Sequence, residues 1–93
     1  MNEPALAKIA ELRVEVERVD AAIVSLLSER LAIVRAIGEW KRLQRVPVVD
    51  PAREAAVVSR VAAQAREQGL PENDVRELFW RIMALSRREQ LAD

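Results

Sequence analysis

Residues Ile9–Leu43 read IAELRVEVERVDAAIVSLLSERLAIVRAIGEWKRL, and this stretch decides the fold. Apolar residues recur at Ile9, Leu12, Val16, Val19, Ile23, Leu26, Leu27, Val34, Ile37 and Trp40. Steps of three and four residues are the signature of an amphipathic α-helix. Gly38 is the one weak helix former that matters, at roughly 1 kcal/mol against Ala, and without a following Pro it need not end the helix. One continuous helix is therefore expected from about Leu6 to Leu43. At 1.5 Å per residue it is on the order of 55 Å long, more than the usual width of a small domain.

The helix breaks where Pro47 and Pro51 forbid its continuation. Asp50 before Pro51 pairs a good N-cap with a proline suited to the first helical position. A second helix is expected over residues 52–68, with Val57, Val58, Val61 and Ala65 apolar, ending at the C-cap glycine Gly69. Glu72 and Asp74 suit the first turn of a third helix over residues 72–91. The reading is all-α: one long helix and two shorter ones in a single domain, residues 1–93. Helices two and three laid along the first would leave Leu12, Val16, Val19 and Leu27 on an open face. Two copies packed side by side or entwined would bury that face, so a homodimer is expected. The competing arrangement is a monomeric three-helix bundle with the first helix broken near Gly38.

Composition narrows the chemistry. The 93 residues hold 15 Lys plus Arg and 15 Asp plus Glu, a net charge of zero, which argues against a generally basic nucleic-acid surface. The chain contains no Cys and no His. Disulfides, a thiol nucleophile, the usual zinc sets and a Ser-His-Asp triad are thereby excluded. No stretch approaches 18 uncharged apolar residues, so no membrane span is expected. Residues 1–10 lack the apolar core of a signal peptide. The expected setting is cytoplasmic.

Polar residues interrupt the apolar stripes. Arg30 and Lys41 lie on the stripe of the first helix, three turns apart, and differ by only about 20° around its axis. On the third helix, Val75, Phe79 and Ile82 lead into Ser86 and Gln90 on one face. Unpaired buried charge is very costly, so a small anionic ligand between helices is the simplest partner. Arg30 and Lys41 are about 16 Å apart along the axis, which suits an elongated anion. Taken singly, each cation also fits surface snorkelling. Arg13 is rotated about 100° from Arg30 and reads as exposed among Glu11, Glu15 and Glu17 unless a second subunit receives it. Asp50, Arg53 and Glu54 cluster at the corner that Pro51 stiffens, a good place to hold polar groups.

The ordered set resembles the all-helical chorismate mutases, the intertwined dimers of the shikimate pathway. The likeness covers about residues 6–91. It runs through Leu12-Arg13, Val19-Asp20, Leu26-Leu27, Glu29-Arg30, Gly38, Lys41, the corner Pro47-Val48-Val49-Asp50-Pro51-Ala52-Arg53-Glu54, Gly69-Leu70, Phe79, Ile82, Ser86 and Gln90. The resemblance implies rearrangement of chorismate to prephenate without metal or cofactor. It implies that Arg30, with Arg13 donated by the partner subunit, holds the two carboxylates and that Ser86 assists at the ring carboxylate. Lys41 and Gln90 would donate to the ether oxygen of the breaking C–O bond. Glu54, helped by the backbone near Asp50, would bind the ring hydroxyl, and Arg53 would brace the pocket.

That chemistry suits a chain without His or Cys. A pericyclic shift requires a folded, chair-like substrate and positive charge where the ether oxygen gains electrons. Arg offers a bidentate fork for carboxylates, and Lys a compact charge for one oxygen. Within the same fold, isochorismate pyruvate-lyases and mutases of the 4-amino analogue of chorismate are the rival readings. The corner residues Asp50 and Glu54, with Ser86, favour the mutase over the lyase. A non-catalytic helical dimerisation or regulatory module is the rival from another class, and docking to a larger pathway enzyme is a further expectation left open.

Overall fold

The structure, a computed structural model, describes residues 2–92. It is all-α with three helices in chain order: α1 (Glu3–Leu43), α2 (Pro51–Glu67) and α3 (Glu72–Leu91). The long first helix is unbroken at Gly38. It starts before Leu6 because Asn2 caps it: the Asn2 side-chain oxygen accepts from the Ala5 amide at 2.8 Å. Pro4 then sits in the first turn, where its missing N–H costs nothing.

The helix ends follow from local chemistry. After α1, the Val46 amide donates to the Lys41 carbonyl and the Arg45 amide to the Arg42 carbonyl, a Schellman closure. That closure needs a left-handed residue, and here it is Arg45, at φ 56°. The same closure ends α2, where Leu70 donates to Ala65 at 2.8 Å and Gly69 to Arg66 at 3.2 Å. There the left-handed position belongs to Gly69, at φ 71°. Asp50 caps α2 from an extended backbone, with Pro51 in the first turn. At the start of α3, Pro71 offers no side-chain cap. Glu72 in that first turn instead accepts from Arg66 Nε at 2.6 Å.

The chain divides into two compact units, Met1–Ala32 and Ile33–Asp93. The first consists of the greater part of α1, and none of its described residues is buried. Leu12, Val16, Val19, Ile23 and Leu26 are exposed, and Leu27 is half-buried. The stripe that the periodicity marks as core is thus open in a single chain. The physical reason is that this unit is one helix with no second element of its own to pack against.

The second unit carries the core. Val57, Val58, Val61 and Met83 are buried together, with Val75, Phe79 and Ile82 packed around them. Full burial of side chains of this size contributes roughly 1.5–3 kcal/mol each. Ala62 and Ala65 are also buried. The end of α1 enters the same unit through the buried Val34 and Gly38. Two polar contacts tie it to α3. Arg35 Nε donates to Glu89 Oε2 at 2.7 Å. Arg42 donates to the backbone carbonyl of Gln90, one of the last-turn carbonyls of α3 that lack a helical partner. None of the helices is long and apolar enough to cross a membrane, among the described residues.

Candidate active site

Lys41 lies half-buried in the last turn of α1. The chain turns after Leu43 and comes back, so that Lys41 Nζ donates to the Val48 carbonyl at 3.1 Å. An ammonium carries three N–H donors, so one anchored on backbone leaves two to aim elsewhere. The corner 44–50 therefore orients this cation as well as joining two helices.

Gln90 lies half-buried in the last turn of α3. Its backbone is held at two points on one face of α1. Arg42 donates to its carbonyl. Gly38 sits so close that a Cβ there would stand 3.2 Å from the Gln90 carbonyl oxygen and 3.4 Å from its Cα. One turn earlier, Ser86 is buried, and its Oγ donates to the Ile82 carbonyl at 2.8 Å. This is the back-bond common for a serine inside a helix. To donate that proton to a ligand carboxylate, the hydroxyl must rotate away from Ile82.

Glu54 lies half-buried in the first turn of α2, near the positive end of the helix dipole. Arg87 Nε stands 3.3 Å from Glu54 Oε2. Arg87 Nε is itself buried and has no hydrogen-bond partner among the described residues. The pair therefore touches as charges without an aligned N–H···O bond. Asp50 is exposed, and its carboxylate accepts from the Arg53 amide at 3.0 Å. Its observed work is capping. Arg53 is exposed, and the contact found for it is this backbone one.

The last two turns of α3 thus touch the end of α1 through Gln90 and the start of α2 through Arg87. Ser86 precedes both on α3, one turn before Gln90 and adjacent to Arg87 in the chain. Lys41, Asp50, Arg53, Glu54, Ser86 and Gln90 all belong to the second unit. Arg13 and Arg30 belong to the first, where Arg13 is exposed and Arg30 half-buried.

Arg87 is the residue that sequence reasoning missed. Next to Arg88 it reads as one of a solvated pair. The signal to be read was its spacing of three from Gln90, which puts both on adjoining rows of the helix surface. Ion pairs elsewhere serve the scaffold. Donation from Arg35 holds the Glu89 carboxyl below the usual carboxylate range, and donation from Arg66 does the same for Glu72. No group of three or more acidic side chains suited to a metal ion occurs among the described residues.

Residues 12–91, which include all of these positions, match the family described as chorismate mutase type II. The chain belongs to that family. A solved structure of chorismate mutase (form II) from Thermus thermophilus superposes with a TM-score of 0.84 at 34% identity. The alignment covers 92% of this chain and 98% of that one. A 4-amino-4-deoxychorismate mutase from Streptomyces pristinaespiralis is 37% identical over 68 residues, 73% of this chain and 53% of that protein. A T-protein from Enterobacter agglomerans is 31% identical over 78 residues, 84% of this chain and 21% of that protein. The chain spans about half the length of the first of these two relatives and about a fifth of the second.

Proposed function

We propose that this chain is a chorismate mutase, rearranging chorismate to prephenate as a homodimer, each subunit a single domain. The observation that carries this reading is the family match over residues 12–91, joined to a near-complete structural likeness to a chorismate mutase at 34% identity. The geometry of the second unit supports it. A lysine tethered by one of its donors, a glutamine on a fixed backbone and a partly buried carboxylate suit a site that binds and orients without a nucleophile.

In this reading the substrate's two carboxylates are held by Arg30 and by Arg13 of the other subunit, with Ser86 assisting at the ring carboxylate. The forked guanidinium restricts how each carboxylate can lie and favours the folded geometry in which the new C–C bond forms. Lys41 and Gln90 donate to the ether oxygen as its bond to carbon breaks and negative charge gathers there. Their stabilisation grows toward the transition state, so it accelerates the step rather than merely tightening binding. Glu54 accepts from the ring hydroxyl. Asp50 fixes the corner through its cap, and Arg53 braces the pocket edge.

The deciding experiment supplies the purified protein, without added cofactor, with chorismate and, in parallel, with isochorismate. Prephenate from the first is the expected product. Pyruvate released from isochorismate, with no prephenate from chorismate, would overturn the reading in favour of a lyase. The exposed stripe of α1 supports the homodimer, and its test is given below with the two arginines.

A further inference from the structure

We infer that Arg87 is a specificity-determining positioning residue, which through Glu54 makes the site select a neutral hydroxyl on the substrate ring over an ammonium. The inference rests on the chorismate mutase reading above and deepens it. Its starting observation is the pair itself: Arg87 Nε lies 3.3 Å from Glu54 Oε2. The Glu54 side chain retains 17% of its exposure and that of Arg87 43%. A carboxylate this sheltered needs a compensating charge, and Arg87 supplies it from the facing helix.

The second observation is that the contact is not a directed hydrogen bond, because Arg87 Nε has no hydrogen-bond partner among the described residues. The guanidinium therefore neutralises Glu54 without an aligned bond to its lone pairs. What remains at Glu54 is an acceptor whose charge is already balanced. A hydroxyl is the complement of such a group, since it donates one proton and brings no charge. An ammonium at the same place would arrive beside an existing cation, and its attraction to Glu54 would be offset by repulsion from Arg87. Selection by such a repulsive element is a general route to specificity. The distinction is relevant to this chain, because a relative 37% identical to it is a 4-amino-4-deoxychorismate mutase.

Arg87 acts through Glu54 and is assigned no contact with the substrate. The test compares chorismate with 4-amino-4-deoxychorismate for the full chain and for Arg87→Met and Arg87→Lys, with circular dichroism and thermal melts on each. The readout is the ratio of kcat/KM for the amino substrate to kcat/KM for the hydroxyl substrate. Arg87→Met should raise that ratio severalfold, up to the roughly fivefold that a partly exposed charge pair can supply. Arg87→Lys, which keeps the charge, should stay near the parent ratio. A purely structural role would depress both substrates together and leave the ratio alone. An unchanged ratio in a folded Arg87→Met variant would overturn the assignment while leaving the mutase reading in place. A parent protein that converts neither substrate would overturn both.

Discussion

Gly38 of α1 and Gln90 of α3 meet backbone to backbone: a Cβ on Gly38 would lie 3.2 Å from the Gln90 carbonyl oxygen and 3.5 Å from its Cβ. The two helices approach this closely only because position 38 has no side chain. Gly38 sits well inside a long helix, where glycine is a poor choice by propensity. Its presence is explained by the residue opposite, whose backbone it sets in place.

Gly38→Ala should therefore separate stability from turnover. Alanine gains roughly 1 kcal/mol of helix propensity. The 3.2 Å approach to backbone must then open by a few tenths of an ångström, which offsets that gain. We expect a melting temperature within a few degrees of the parent and a fall in kcat of about tenfold, as Gln90 is displaced from the ether oxygen. Full activity in the alanine variant would show that the close approach does not position Gln90.

Arg45 holds the left-handed position of the Schellman closure after α1, at φ 56°. A side chain in that conformation costs roughly 1–2 kcal/mol relative to glycine. Arg45→Gly should raise the melting temperature by several degrees, given about 4–8 °C per kcal/mol in a domain of this size. A lower melting temperature would mean that the arginine side chain contributes contacts outweighing its backbone strain.

Glu89 and Glu72 should make the fold sensitive to acid. Both carboxyls are held below their ordinary range in the folded state, by donation from Arg35 and Arg66. A folded pKa below the unfolded one means that the unfolded chain binds more protons in the window between them. Stability from these pairs is thus present above the ordinary carboxylate pKa of about 4.3 and is lost as pH falls below it. Glu72→Gln with Glu89→Gln should flatten the drop in melting temperature between about pH 5 and pH 3. An unaltered drop would place the acid sensitivity elsewhere.

Arg13→Ala and Arg30→Ala should each nearly abolish turnover. Mixed and allowed to exchange subunits, the two inactive proteins should recover activity, because one site of each heterodimer then contains both arginines. Sedimentation should give a dimer of the 10.5 kDa chain at micromolar concentration. No recovery despite verified exchange, or an active monomer, would sink the crossed site.

Much of the helical frame was legible in residue order. The three-and-four spacing from Ile9 to Trp40 reads as one helix because periodicity is a local property of the chain. Asp50-Pro51 and Gly69 mark their helix ends by equally local chemistry, and α2 does begin at Pro51 and close over Gly69. The early start at Asn2 was missed, although a capping side chain ahead of Pro4 was there to be read. So was the closure at Arg45, since an arginine gives no hint of a left-handed turn.

Residue order suffices for the three helices, the breaks at Pro47–Pro51 and Gly69, and the polar residues that interrupt apolar stripes, because each depends on neighbours within a turn or two. Only the tertiary structure decided that Lys41 is tied to the Val48 carbonyl and that Gly38 receives the backbone of Gln90. It alone decided that Arg87 stands against Glu54. These are contacts between residues on different helices or across a reversing corner. Their distances depend on how the elements pack, which one-dimensional spacing does not encode.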